Sequence, residues 1–209
     1  MPLKIKETKG YRIKITLPMD GEMPDVVRTV DIPSDITFKQ LHDTIQTVMG
    51  WDDAHLYEFL IRQQNITIPE DSLYEEMKNQ SPIKGIKQVK VRRLSNKIDK
   101  YLQNYRGFEY IYDLGDNWEH TIELIRLLDD YAVGYPKVIS GQGSLPPEDS
   151  GGVGGWLMML ESLNDPDDPE HEDIVKWLNE IDYLPDGGKL NKKELNDYLK
   201  KYFWLKKKV

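Results

Sequence analysis

The segment that most constrains this chain is a hairpin written into residues 108–125. Phe108-Glu109-Tyr110-Ile111-Tyr112-Asp113 is rich in aromatic and β-branched residues, and so is Trp118-Glu119-His120-Thr121-Ile122-Glu123-Leu124-Ile125. Between them stands Leu114-Gly115-Asp116-Asn117, residues that favour a tight turn. Two strands joined this way must pair antiparallel, and their shared apolar face must be covered. Along the second strand Trp118, His120, Ile122 and Leu124 fall on one face, because strand side chains alternate.

The flanking sequence supplies the cover. Tyr11–Leu17 and Val26–Ile32 alternate with period two and predict two half-buried strands, turned at Asp20-Gly21-Glu22 and Pro24. Thr37 and Gln40 form a capping-box pair ahead of Phe38, Leu41, Ile45 and Val48 at helical spacing, and Gly50 is placed to end that helix. His55–Ile61 reads as a third strand, giving a β-grasp-like start. Residues 69–82 read as an acidic loop with one helical turn, Ile86–Val91 as a strand, Ile98–Leu102 as a short helix and Pro136–Ile139 as an edge piece. The last third is helical: Trp156, Leu157, Leu160 and Leu163 make one apolar face, Glu170–Ile181 a second helix, and Asn191 with Glu194 caps a third. The expectation is one α+β domain over 1–209, with a mixed, mostly antiparallel sheet, a central aromatic hairpin and C-terminal helices.

Composition narrows the chemistry. No cysteine occurs, so disulfides, thiolate nucleophiles and Cys-type metal sites are excluded. No apolar run approaches the ~20 residues that span a bilayer, and no secretory apolar segment opens the chain, so a cytoplasmic protein without membrane contact is expected. The net charge of −8 is unevenly distributed. Lys84, Lys87, Lys90, Arg92, Arg93, Lys97, Lys100 and Arg106 oppose only Asp99 over residues 84–106, while residues 145–186 carry twelve carboxylates against Lys176. The tail turns basic through Lys200, Lys201, Lys206, Lys207 and Lys208. The 84–106 segment is a candidate nucleic-acid footprint, with Lys87, Lys90, Arg92 and Arg93 its contacts. Solvated lysines and attraction between oppositely charged parts of one fold account for the same pattern, and the acidic total weighs against phosphate binding.

Two signatures concentrate polar chemistry. In the first, Tyr112-Asp113-Leu114-Gly115-Asp116-Asn117-Trp118-Glu119-His120, Asp113 and Asp116 flank the turn and His120 is a candidate acid, base or ligand. Turn formation and a satisfied cross-strand histidine explain the same residues. In the second, Pro146-Pro147-Glu148-Asp149-Ser150-Gly151-Gly152, a stiff approach leads to paired carboxylates and flexible glycines. That pairing suits a hard metal or a substrate amine, whereas Asp149 or Ser150 as cap of the Trp156 helix is the plainer reading. A phosphate loop is excluded by the missing Gly-Lys-Ser/Thr ending. Further on, His171 opens an acid-rich helix. His120, His171, Glu148, Asp149 and Asp113 can be assembled into a metal site on paper, without any His-x-x-x-His spacing in support. His42 and His55 are read as lacking polar company and as structural.

Together these residues resemble the plasmid pRiA4b open-reading-frame-three-like family. The resemblance rests on the aromatic strand into Tyr112–His120, Tyr135-Pro136, Gly141-Gln142-Gly143, Pro146–Gly152, Asp165-Pro166 and His171-Glu172. It implies the α+β fold and a shared loop site. It implies no reaction, although some members are labelled transposon passenger or resolvase-like, a prokaryotic mobile-element context. Many members carry cysteines where Val138, Leu145 and Ser150 stand here, and a histidine where Asp168 stands, so any role the loop shares is structural or carboxylate-based.

The resulting functional expectation is a binding or accessory protein for an unidentified ligand or protein partner. Its surface would comprise Asp113, Asp116, Trp118, His120, Glu148, Asp149 and Trp156. The alternatives are a metal- or carboxylate-dependent enzyme using His120 and Glu148 or Asp149, and a nucleic-acid-associated protein using the basic segment. No particular cofactor is indicated.

Overall fold

A computed structural model describes residues 10–21, 23–81, 88–183 and 190–206. Its centre is an eight-stranded sheet. The strands are β1 (Gly10–Leu17), β2 (Val26–Pro33), β3 (Tyr57–Ile61), β4 (Ile66–Pro69), β5 (Lys90–Val91), β6 (Gly107–Tyr112), β7 (Trp118–Leu128) and β8 (Lys137–Gln142). Their spatial order is β5-β4-β3-β6-β7-β1-β2-β8. Every pairing is antiparallel except β4 with β5. The helices are α1 (Phe38–Met49), α2 (Asp71–Lys78), α3 (Asp99–Tyr105), α4 (Gly152–Asn164), α5 (His171–Glu180) and α6 (Lys192–Lys206).

Period-two patterning works as expected. Tyr11, Ile13, Ile15 and Leu17 of β1 are wholly buried, while Arg12, Lys14 and Thr16 look outward. The outward side chains pair across strands in register. Arg12 donates two hydrogen bonds to its β2 neighbour Asp31, at 2.6 and 2.8 Å, and Lys14 reaches its β7 neighbour Glu123 at 2.6 Å. On the inner face α1 lays down Phe38, Leu41, Ile45 and Val48, all buried. Its start is fixed by both bonds of the capping box. The Gln40 amide donates to Thr37 Oγ1 at 3.2 Å, and the Thr37 amide to Gln40 Oε1 at 2.9 Å. Gly50, at φ 67°, ends it.

The opening strand–strand–helix–strand order is present, but β6 and β7 stand between β3 and β1, so the hairpin occupies the middle of the sheet. Residues 69–82 hold more than a turn of helix: α2 runs for eight residues. Of the strand expected over Ile86–Val91, only β5 is present: Gln88 and Val89 are described without strand structure, and residues 82–87, with Lys84 and Lys87, lie outside the described part, as do Lys207 and Lys208. Strand β4 was not anticipated from sequence, its four residues being too few for periodicity to register. Among the described residues no helix is long and apolar enough to cross a membrane.

Candidate functional site

Three loops meet at one end of the hairpin. They are the β6–β7 turn, the Pro146–Gly151 loop before α4, and the loop from Trp51 to Leu56 that joins α1 to β3. The turn is built by Asp113. Its Oδ1 accepts from the amides of Gly115 (2.9 Å) and Asp116 (3.3 Å), an Asx arrangement that tolerates the left-handed backbone Asp113 adopts at φ 54°. Asp116 then reaches across: its Oδ2 accepts from the Gly151 amide at 3.0 Å. Gly152 has no alternative side chain, because a Cβ there would stand 2.3 Å from the Asp116 carbonyl oxygen.

A second clamp is centred on Tyr112. Its hydroxyl accepts from the amides of Ala54 (2.9 Å) and His55 (3.3 Å) and donates to Glu148 Oε1. The other Glu148 oxygen accepts from the Asp52 amide at 2.7 Å. Trp51 stacks on the Tyr112 ring at 5.1 Å and donates from its indole to the Pro146 carbonyl at 3.1 Å. Burial, and after it the bond to Glu148, raise the Tyr112 pKa well above its ordinary value, so the hydroxyl stays protonated as the donor. Glu148 therefore spends both oxygens holding two loops together.

The clamps leave three side chains facing one another. His55 Nε2 lies 2.9 Å from Asp149 Oδ1, and His55 Nδ1 lies 3.5 Å from Asp113 Oδ2. Despite that proximity Nε2 makes no well-aligned hydrogen bond. Asp149 is held at φ 60° and its side chain is 69% exposed, so the cluster opens to solvent. One ligand atom from each of His55, Asp113 and Asp149 falls within 4.8 Å of the others, a spacing a metal ion can bridge.

One other described group meets this spacing: His42, Asp43 and Asp53. Its donors are already spent. Gln46 Nε2 donates to the Tyr110 hydroxyl (3.0 Å), which stands 2.8 Å from His42 Nδ1, and His42 Nε2 is 2.7 Å from Asp53 Oδ1. Lys39 approaches both aspartates, at 3.2 and 3.4 Å, and Lys206 approaches Asp43 at 2.9 Å. Burial, aided by Lys39, lowers the His42 pKa to about 4. This is an ion-pair network around a neutral imidazole, with its positive charge already provided.

The structure redistributes the residues expected from sequence. Asp113, Asp116, Glu148 and Asp149 do converge. His120 does not join them: it is wholly buried, donates from Nδ1 to the Trp118 carbonyl at 2.9 Å, and burial lowers its pKa to about 4. Trp118 and Trp156 are buried core rather than pocket wall. His171 Nδ1 sits 3.0 Å from the Ser162 carbonyl, tying α5 to α4, and has no hydrogen bond or ion pair with Glu148 or Asp149. Neither Asp149 nor Ser150 caps α4. Gly151 holds the cap position without a side-chain bond, and Ser150 Oγ donates to the Pro147 carbonyl at 2.8 Å.

The reading of His42 and His55 as lacking polar company is corrected: His42 lies against Asp53, and His55 against Asp113 and Asp149. For His55 the available signal was Asp52-Asp53-Ala54-His55 directly after a helix-ending glycine, polar residues in a short connection to a central strand. In the basic segment, Arg93 is paired with Glu75 at 2.7 Å and lies 3.9 Å over the Tyr74 ring, and Arg92 donates to its neighbouring Val91 carbonyl. Lys90 sits on the edge strand β5, and Lys87 is outside the described residues.

Comparison with known proteins agrees with this architecture. The chain is 32% identical over 185 residues to the uncharacterised protein y4hQ of Sinorhizobium fredii, covering 88% of each. It superimposes with a TM-score of 0.63 on the crystal structure of MM3350, a protein of unknown function from Methanosarcina mazei, at 32% identity, covering 82% of this chain and 89% of that one. The family profile for plasmid pRiA4b ORF-3-like proteins matches residues 9–192. The chain belongs to the plasmid pRiA4b ORF-3-like family.

Proposed function

We propose that this protein binds a divalent transition metal ion through His55, Asp113 and Asp149 and acts as a metal-dependent enzyme. The observation that carries the reading is the arrangement of His55. Its Nε2 is buried 2.9 Å from Asp149 Oδ1 without a well-aligned hydrogen bond, and one ligand atom each from His55, Asp113 and Asp149 lies within 4.8 Å of the others, a spacing one ion can bridge. One imidazole and two carboxylates suit zinc, manganese or iron(II), and the two negative charges balance the ion. Three protein ligands at a solvent-open site leave positions for substrate or water, which distinguishes a catalytic from a structural ion. Such an ion supplies Lewis acidity when bound.

The surrounding residues supply rigidity. Tyr112 and Glu148 fix the backbone at Ala54 and His55, the Asx turn holds Asp113 Oδ1 so that Oδ2 faces inward, and Asp116 anchors the loop carrying Asp149. The binding surface expected at the hairpin and the Pro146–Gly152 loop is this same place, with His55 in the part sequence reasoning gave to His120.

The test is titration calorimetry with Mn²⁺ and Zn²⁺ on the chelator-treated protein, beside Asp113→Asn and His55→Ala. Asparagine keeps the Oδ1 acceptor and tolerates the left-handed backbone, so Asp113→Asn removes charge with little change of shape. One ion per chain in the wild type is expected, weakened in both variants by at least the roughly ten-fold loss that follows disturbance of even an outer partner. Stoichiometric binding undiminished in both would reject the site.

A further inference from the structure

A cleft of about 470 Å³ opens beside the His55 cluster, between residues 49–54, the loop at residues 145–149 and the end of α5. Asp149, one of the three cluster residues, lines it, and so does Ala54, the residue before His55. A molecule held at the cluster therefore has this cleft as its neighbour.

The walls are mainly apolar, made by Trp51, Leu145, Pro146, Trp177, Ile181 and Tyr183. Hydrogen bonds tie them together. The Tyr183 hydroxyl donates to the Leu145 carbonyl at 2.8 Å, and the Trp51 indole to the Pro146 carbonyl at 3.1 Å. Glu148 joins the same two loops through the Asp52 amide at 2.7 Å. Behind Tyr183 stands the buried Trp156 ring, edge-on at 5.3 Å. The cleft is thus preformed, and a guest need not first order its loops. Ile181 is 45% exposed, so the apolar wall continues out to the surface.

Charge narrows the guest. Asp52, Glu148, Asp149 and Asp182 line the cleft, and no lysine or arginine does so among the described residues. Glu148 is committed to Tyr112 and the Asp52 amide, and Asp149 to the cluster. The two charges of a bound ion balance Asp113 and Asp149 and leave none for the cleft. A phosphate or carboxylate lodged there would meet only like charge. Ring-bearing walls favour a flat guest, which can meet them stacked or edge-on.

We propose, resting on the metal reading of the His55 cluster, that this cleft is a substrate subsite, and that the substrate carries an uncharged aromatic ring next to the group the ion binds. The ion anchors one end of the molecule, and the cleft selects what is attached to it.

The experiment is calorimetric titration of the full chain, loaded with Zn²⁺ or Mn²⁺, with benzohydroxamate and with acetohydroxamate. Both present the same pair of metal-binding oxygens, and only the first carries a ring. Benzohydroxamate is expected to bind at least about ten-fold tighter, the scale set by burying a phenyl group. Trp177→Ala should cut that advantage about five-fold, the scale of one aromatic pair, and Trp177→Phe should restore most of it. Ile181→Ala, at an exposed position that the fold does not need filled, should also reduce it. Acetohydroxamate affinity should stay within about two-fold throughout, which shows that the variants keep an intact metal centre. A chain that takes up the ion but binds the two hydroxamates alike, or binds neither, overturns the subsite and leaves the metal reading standing. So does a ring advantage undiminished in both Trp177→Ala and Ile181→Ala. A chain that takes up neither ion overturns the metal reading, and the subsite with it.

Discussion

Acid should unfold this protein through its buried histidines before its carboxylates titrate. His120 has no exposed surface, and burial lowers its pKa from 6.5 to about 4. The folded state thus binds the proton less readily than the unfolded chain. The stability this contributes is complete above pH 6.5 and is lost progressively as pH falls toward 4. The gap corresponds to about 3 kcal/mol, and across the window the slope is about 1.4 kcal/mol per pH unit for one histidine. His42, lowered to about 4 by burial and by Lys39, contributes with the same sign over the same window. The wild type should therefore lose about 3 kcal/mol per pH unit between pH 6 and 5, where ordinary carboxylates are still ionised in both states. Guanidinium unfolding followed by tryptophan fluorescence at half-unit steps reads this directly. His120→Phe keeps an aromatic ring in the core and abolishes the titration. It should be less stable at pH 7, because the Trp118 carbonyl loses its donor, while its pH slope should fall by half. An unchanged slope in His120→Phe would refute the reasoning.

The Tyr112 clamp should be costly to cut. Tyr112→Phe leaves two amides and a carboxylate oxygen without their partner and should destabilise by about 1–3 kcal/mol, with hydrogen exchange of the Ala54 and His55 amides accelerating more than that of β1; equal acceleration everywhere would mean the clamp is not local. Two nearby glycines should behave oppositely on replacement by alanine. Gly152, at φ 71° and against the Asp116 carbonyl, should lose about 1–3 kcal/mol. Gly154, with nothing within 4 Å of its added Cβ and a place inside α4, should gain up to about 1 kcal/mol; thermal melts of the pair decide this. Saturating Mn²⁺ should raise the melting temperature of the wild type and leave that of His55→Ala unmoved, since an ion stabilises only the state that binds it.

What could be read in advance depended on whether the cause was local. The capping box at Thr37 and Gln40, the glycine stop at residue 50 and the alternation in β1, β2 and β7 are each set within a few residues, and each appears in the structure. The polar loop residues were also legible as a group: Asp113, Asp116, Glu148 and Asp149 announced themselves by composition. Their division of labour was not. Glu148 and Asp149 are adjacent in sequence, yet one faces Tyr112 and the other His55, because the left-handed turn at Asp149 separates them. His55 escaped because its partners are about sixty and ninety residues distant, and no periodicity reports that. His120 misled for the converse reason. Its neighbours in sequence are polar, but the strand face it occupies is shared with Trp118 and Ile122 and points inward.

The position of β1 sets the order in which this molecule can be finished. Its first residues pair with Pro33 on one side and with Leu128 on the other. A chain emerging from the ribosome can form the β1–β2 ribbon at once, and α1 can fold against it. The opposite edge of β1 must then wait while about a hundred further residues are made, exposing unpaired amides and carbonyls in the middle of what will become the sheet. Topologies with such distant partners fold slowly. The hairpin that closes the gap also carries Asp113, and the loop bearing Asp149 follows it. The cluster around His55 thus comes into being as the last consequence of closing the sheet. A nascent chain stalled before residue 128 would have neither a sealed core nor an assembled His55 cluster, and it would be the form most in need of a chaperone.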